Sequence, residues 1–286
     1  MLRSIFRIAN MKTAALTFCL LSLFPFVALV GSEEPTIKMD DESNKLKQTV
    51  KAIGLNKIIV RSVPPKTSST EAKAKPYGLT RSELTKLTET IPTISRATSV
   101  RETISEVVCY RREDSVKHRF TLLGCTGEHM AESQLEIATG RFINQQDVQA
   151  KLTVCVLSKQ VADKLFAHEN PLGKYIFLPS AKTYVKVIGI LKNKPTREKL
   201  GRLPATVYGQ QLYIPLTTMR TKMGDTSILR TEKKFTVSNY QISQVTFTVK
   251  NVQDVEKTAK MIEAALLKDN PDRKDIAIIV PARLLK

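Results

Sequence analysis

Apolar residues along this chain recur with two different periods, and the order in which the periods alternate outlines a fold. Near the front, Leu55 to Val63 (LNKIIVRSV) is short and β-branched, which predicts a strand. Thr80 and Glu83 then form a capping box, Leu84, Leu87 and Ile91 give the following helix one apolar side, and Pro92 ends it. Ile94 to Val100 is the next strand. The back of the chain repeats this plan. Ser243 to Lys250 alternates Val245, Phe247 and Val249 against polar residues. Asp254 to Leu267 carries Val255, Ala259, Ile262 and Leu266 at helical spacing, and Asp275 to Val280 is a last strand. Two strand–helix–strand units held apart by a long insertion predict an α+β fold. Its core is a split βαβ, ferredoxin-like layer with two helices on one sheet, built from residues 55–102 and 240–286.

The insertion, residues 103–239, reads as mixed α/β. Val107 to Arg111 and Lys117 to Leu123 predict a hairpin around Glu113-Asp114-Ser115. Leu152 to Leu157 is an unbroken apolar run, the mark of a strand covered on both faces. Ser158 is placed to cap a short helix with Val161, Leu165 and Phe166 on one side, and Asn170-Pro171 stops it. Gly173 supplies a turn before Tyr175 to Leu178, and Tyr184 to Leu191 makes a third strand. Gln211 to Pro215 and a helix over Thr217 to Met223 close the insertion. Pro64 to Gly78, rich in proline, serine, threonine and lysine, has no periodic apolar face and reads as a surface loop.

Within that insertion, Gly140-Arg141-Phe142-Ile143, a strand, a helix, Asn170 to Lys174 (NPLGK), a strand and Val187 to Leu191 (VIGIL) follow in this order. The series resembles the periplasmic core domain of MacB-type ABC-transporter permeases. The resemblance implies a porter-like subdomain at 55–102 and 240–286 and a sabre-like subdomain at 103–239. It also implies a basic elbow at residues 1–12, a membrane helix at 13–31 and a stalk helix at 32–54. The chain departs from the family pattern in one respect: no apolar run of membrane length follows Val30, so the further membrane helices and the nucleotide-binding domain of a complete transporter have no counterpart.

The front segment itself carries a charge asymmetry. Arg3, Arg7 and Lys12 precede the apolar run Thr13 to Val30, and Glu33 and Glu34 follow it, which predicts export of everything downstream. Two readings fit. Starting at Met11, the segment has the size and flanks of a cleavable signal peptide; starting at Met1, it is a single-pass anchor, and the resemblance favours the anchor. Leu46, Val50 and Ile53 then share a helical face that Gly54 ends.

Charge and chemistry add constraints. A formal net charge of +18 raises nucleic acid as a partner, but the basic residues are scattered without aromatic interleaving, and anionic headgroups or acidic proteins fit better. Cys109, Cys125 and Cys155 sit in or beside apolar strands and read as small buried hydrophobes; a Cys125–Cys155 disulfide stays open. His118, His129 and His168 lack metal spacing, and no GxSxG elbow, phosphate loop, HExxH helix or SxxK pair occurs. Glu102, Glu106, Glu113 and Asp114 read as a solvated strand and turn. Lys192, Lys194, Arg197, Lys199 and Arg202 form the best candidate for an electrostatic contact. No residue is assigned a catalytic, cofactor-binding or metal-ligating role, and no cofactor is expected. The expectation is a non-enzymatic module held in the inner membrane with its domain in the periplasm, or secreted to the periplasm if the front segment is cleaved. It would contact envelope proteins such as a permease or a periplasmic adaptor, with pairing to a second copy open and no nucleic acid. A truncated or split half of a permease, or a periplasmic binding protein sharing only the fold, are the alternatives.

Overall fold

A computed structural model describes residues 47–51, 53–65, 75–110, 115–167, 169–196, 206–230, 235–268 and 270–285. In chain order these form β1 (Lys57–Ser62), α1 (Arg81–Thr90), β2 (Ile94–Tyr110), β3 (Ser115–Cys125), α2 (Glu128–Glu132), β4 (Ile137–Gly140), α3 (Gln145–Gln149), β5 (Val154–Leu157) and α4 (Lys159–Phe166). They continue with β6 (Tyr175–Leu178), β7 (Thr183–Leu191), β8 (Gln211–Pro215), α5 (Leu216–Met223), β9 (Thr226–Arg230), β10 (Phe235–Asn239), β11 (Gln244–Val249), α6 (Val255–Leu267) and β12 (Ile276–Ile279). The elbow 1–12, the apolar segment 13–31 and the front of the stalk 32–54 lie outside the described residues, as do Glu113, Asp114, His168, Arg197, Lys199 and Arg202.

One mixed sheet carries the fold, in the order β12-β1-β11-β2-β3-β8-β5-β7-β4, with β6 beside β2 and β7; β9 and β10 pair as a separate ribbon. The first and last thirds of the chain share this sheet, because β1 lies between β11 and β12, antiparallel to both. Parallel pairing enters only at β3–β8 and β5–β7 among the described strands. Period-2 alternation places Ile58, Val60, Val245, Phe247 and Val249 on one face, where α1 and α6 cover them with Leu87, Ile91, Val255, Ala259, Ile262 and Leu266. Thr80 and Glu83 make the expected capping box at the start of α1. In the other half, Phe120, Leu122, Cys155, Leu157, Ile176, Val185 and Ile214 pack with Val161, Leu165 and Phe166 of α4 and Met219 of α5. A third cluster, including Leu123, Cys125, Phe142, Val156 and Tyr213, forms separately.

Sequence patterning predicts two strands between Ile94 and Arg111, and the structure has one. β2 runs 17 residues without a break, across the 102–103 division between the two halves. The reason is chemical: Arg101, Thr103 and Ser105 interrupt the apolar pattern, yet all three are buried. Arg101 donates to the Gly224 carbonyl, Thr103 pairs with Ser227, and Ser105 meets the Ser180 hydroxyl at 2.7 Å. With these polar groups held by side-chain and loop partners, the strand has no cause to end. The short elements α2, β4, α3 and the β9–β10 ribbon also escaped the pattern. Ser158 precedes α4 as expected but does not cap it; its hydroxyl donates to the Gly209 carbonyl at 2.6 Å. Cys109, Cys125 and Cys155 are free and buried, and Cys125 and Cys155 belong to different clusters, so no disulfide joins them.

Candidate functional site

The two turns that carry the resemblance meet on the strand that holds its third motif. At Gly140, φ is +80°, and Gly140 pairs with Gly189 of β7. A Cβ on Gly189 would lie 3.0 Å from the Arg141 carbonyl carbon and closer still to its oxygen, so both glycines are needed for the backbones to approach. Arg141 N–H donates to the Ile188 carbonyl at 3.0 Å. The NPLGK turn zips onto the same strand: Gly173 N–H donates to Val187 O, and Val187 N–H donates to Lys174 O, each at 2.8 Å. Arg141 then holds Asp147 through two bonds of 2.6 and 2.9 Å, and Asp147 caps α3 in a box with Asn144. The Arg141 guanidinium keeps the Asp147 carboxyl below its usual range. These motifs form a joint held by backbone pairing to β7 and by the Arg141–Asp147 pair.

A groove of about 660 Å³ lies elsewhere, where the two halves adjoin. Its floor is the sheet face that α1 and α6 leave uncovered: Ile59 and Arg61 of β1, Gln244 and Thr246 of β11, Thr98, Val100 and Glu102 of β2, and Leu123 of β3. Helical residues Gln48 and Thr49 and the neighbouring Ile53 form one wall, Ile53 packing on Ile59, Ile279 and Leu284. The opposite wall is α2 with Ser133, Gln134, residues 194–196 and Tyr208. Lys57 of β1 reaches Glu132 of α2 at 2.5 Å, with side chains only 16% and 12% exposed, and so ties one half to the other.

The polar groups on the α2 wall of this groove are spent on structure. His129 is buried against Tyr213, their ring centroids 5.9 Å apart, and its ring nitrogens face the Ser133 hydroxyl. Burial, with Lys194 nearby, pushes its imidazole down to about 4. Lys194 donates to the carbonyls of Ser133 and Gln134 and lies 4.6 Å from the centre of the Tyr208 ring, while Lys192 pairs with Glu136. The expected electrostatic contact therefore has Lys194 closing the end of α2 and Lys192 paired to Glu136 before β4, and Arg197, Lys199 and Arg202 lie outside the described residues. Glu102 and Glu106 are exposed on β2. Among the described residues no group of His, Cys, Asp and Glu could hold a metal, and no helix is long and apolar enough to cross a membrane. What the groove offers is a contact surface of hydroxyls, amides and aliphatic groups. Sequence reasoning missed it because its lining comes from segments between residues 48 and 246.

The MacB-like periplasmic core domain family matches residues 39–265. The chain belongs to that family. Among curated relatives, the macrolide export ATP-binding/permease protein MacB of Rhodospirillum rubrum is 28% identical over 179 residues, covering 54% of this chain and 26% of the relative. The uncharacterized ABC transporter permease YknZ of Bacillus subtilis is 26% identical over 182 residues, covering 61% and 39%. The matched stretches thus span well under half the length of these two relatives. The fold is that of the periplasmic region of MacB from Actinobacillus actinomycetemcomitans, with a TM-score of 0.58, 19% identity, and coverage of 84% of this chain and 95% of that one. The extracellular domain of YknZ superposes with a TM-score of 0.53 at 21% identity, covering 78% and 100%. The MacB-like core is therefore a mixed α/β domain of the kind found in ABC-transporter permeases, and its motif turns serve the fold.

Proposed function

We propose that this MacB-like domain is a non-enzymatic module of an ABC export system that carries movement between a membrane-side partner and other envelope proteins. Residues 13–31 would anchor it in the inner membrane, with residues 1–12 as a cytoplasmic elbow, 32–54 as a stalk and the domain in the periplasm. The β12-β1-β11-β2 layer with α1 and α6 is read as the porter-like, ferredoxin-like half, and residues 103–239 as the sabre-like half. The observation that carries the reading is the continuous β2, which makes the first of the two crossings between the halves a strand. Partners are a permease or a periplasmic adaptor. In-cell crosslinking from the groove residue Thr49, followed by mass spectrometry, tests this. Recovery of a permease or adaptor is expected; recovery of no envelope protein at all would overturn it.

The groove volume favours a second reading, a periplasmic binding protein that shares only the fold. Thermal stabilisation of the purified chain by a small metabolite, lost on Thr98→Val and Thr246→Val substitution, is its expected signature.

A further inference from the structure

Past the groove, the same face of β2 and β3 continues toward the far end of the two strands, six residues beyond Glu102 and Leu123. Register puts Lys117 of β3, Val108 of β2, Phe177 of β6 and Tyr184 of β7 in one cross-strand row. Tyr175 and Lys186 form the next pair on the same face. Alternation accounts for the arrangement: Ile176, Leu178, Val185 and Val187 turn inward to the core under α4, which leaves the rings outside. Tyr175 is 58% exposed and Tyr184 53%, and the Phe177 and Tyr184 rings lie 4.9 Å apart. Lys117 and Lys186, both exposed, bracket the rings, and neither ammonium has an acidic partner among the described residues.

Position narrows what could cover this face. Lys57 at the start of β1 is level with Arg96 of β2 through Thr248, and β12 ends beside β1, so the chain enters and leaves the sheet at the same end. Val108 stands twelve residues further along β2 than Arg96, roughly 40 Å at 3.3 Å per residue. A membrane holding residues 13–31 would face the other end of the sheet. Stacked aromatic rings suit the apolar part of a protein contact, and two unpaired lysines at their border suit carboxylates.

We propose that this distal face docks an acidic, apolar-containing segment of another envelope protein, with the three rings taking its apolar side chains and Lys117 and Lys186 its carboxylates. The proposal rests on the interaction-module reading and names a surface for it. The test uses the purified full chain and a fluorescein-labelled peptide of alternating glutamate and leucine, followed by anisotropy. Lys117→Glu with Lys186→Glu, and separately Tyr175→Ser with Tyr184→Ser, are expected to weaken binding at least tenfold. Lys159→Glu with Lys164→Glu, an equal charge change on the exposed side of α4, is expected to alter it less than twofold. All six positions being exposed, unchanged circular dichroism checks that each variant folds. Equal losses in the distal and α4 charge variants would reveal general attraction to a basic chain and overturn the proposal. So would tyrosine-dependent binding to phosphatidylglycerol vesicles in place of the peptide, or self-association through this face in sedimentation. In cells, photo-crosslinks to an acidic partner segment from position 184 support the surface. Crosslinks from Thr49 alone would overturn the surface and leave the module reading standing, and none from either position would overturn both.

Discussion

Gly189→Ala is the sharpest test that the family motifs are a structural joint. The added Cβ would sit 3.0 Å from the Arg141 carbonyl carbon and 3.2 Å from its nitrogen, with the carbonyl oxygen nearer. Those atoms are backbone and cannot rotate away, so the turn after β4 must retreat by roughly an ångström to restore ordinary contact. That retreat costs about 1–3 kcal/mol as overpacking. It also breaks the 3.0 Å bond from Arg141 N–H to Ile188 O, worth about 1 kcal/mol, and loosens the Arg141 grip on Asp147. The expected loss is about 3 kcal/mol, read by urea denaturation of the full chain, and about 6–12 °C in Tm for a domain of this size. Gly173→Ala is the internal control. Nothing lies within 4 Å of its added Cβ, but φ is +78°, so only backbone strain of about 1 kcal/mol is expected. If Gly189→Ala proved as mild as Gly173→Ala, the close approach of β4 and β7 would not be what the motif glycines provide.

Other expectations follow from single contacts. Asp147→Asn should cost about 2 kcal/mol at neutral pH by leaving the Arg141 pairing broken, the half-exposed Arg141 side limiting the loss. Because the Asp147 carboxyl is held low when folded, its contribution is complete above the unfolded value near 3.9 and fades as pH falls through the folded one, so the gap between variant and parent should close in acid. His129 has its folded value lowered to about 4, so the folded chain should lose about 3 kcal/mol between roughly pH 6.5 and 4, and His129→Phe should remove that slope in denaturation curves. A double-mutant cycle on Lys57→Met and Glu132→Gln should return about 1–2 kcal/mol of coupling; a value near zero would mean that the bridge between the halves contributes no stability. Burial pushes the Cys125 and Cys155 thiols up and Cys109 is equally enclosed, so a thiol reagent should react with none of the three until urea unfolds the chain.

The parts of the fold that depend on near neighbours in sequence were readable. The α6 face Val255, Ala259, Ile262 and Leu266 is buried as its spacing implies, and Val245, Phe247 and Val249 turn inward as alternation implies. The Thr80 box needs only residues 80–83. What was hidden depends on distant partners. Arg101, Thr103 and Ser105 look like the end of a strand until Gly224, Ser227 and Ser180 arrive as partners, one for each. Ser158 looks like a cap until Gly209 takes its hydrogen. Lys194 looks like a free surface charge until α2, itself too short to show a period, ends beneath it. The motif glycines were visible as turns, but that Gly140 and Gly189 are needed by one another is a fact of pairing across 49 residues.

Continuity of β2 limits how the domain could transmit movement. Seventeen residues without glycine or proline, paired on one side to β3 from Arg101 to Tyr110 and on the other to β11 from Ile94 to Val100, leave no loop at this crossing to act as a hinge, whereas the return crossing at residues 240–243 is a short loop. Arg101 sits where the two pairings hand over, buried beneath Tyr240, its guanidinium carbon 5.3 Å from the ring centre. Its Nε and Nη2 have no hydrogen-bond partner among the described residues. A buried charge that is incompletely paired is held less firmly than a packed apolar group, which predicts that this crossing is the most compliant point of the strand. If the domain carries movement as proposed, motion imposed at the end where the chain enters would reach the distal end of β2 as a change of sheet twist about Arg101, and the groove walls would part only as far as the Lys57–Glu132 bridge allows. Arg101→Met, which fills the same space without the charge, should therefore leave stability within about 1 kcal/mol of the parent or raise it, while hydrogen exchange across residues 99–105 slows. Faster exchange there would place the compliance elsewhere in the sheet.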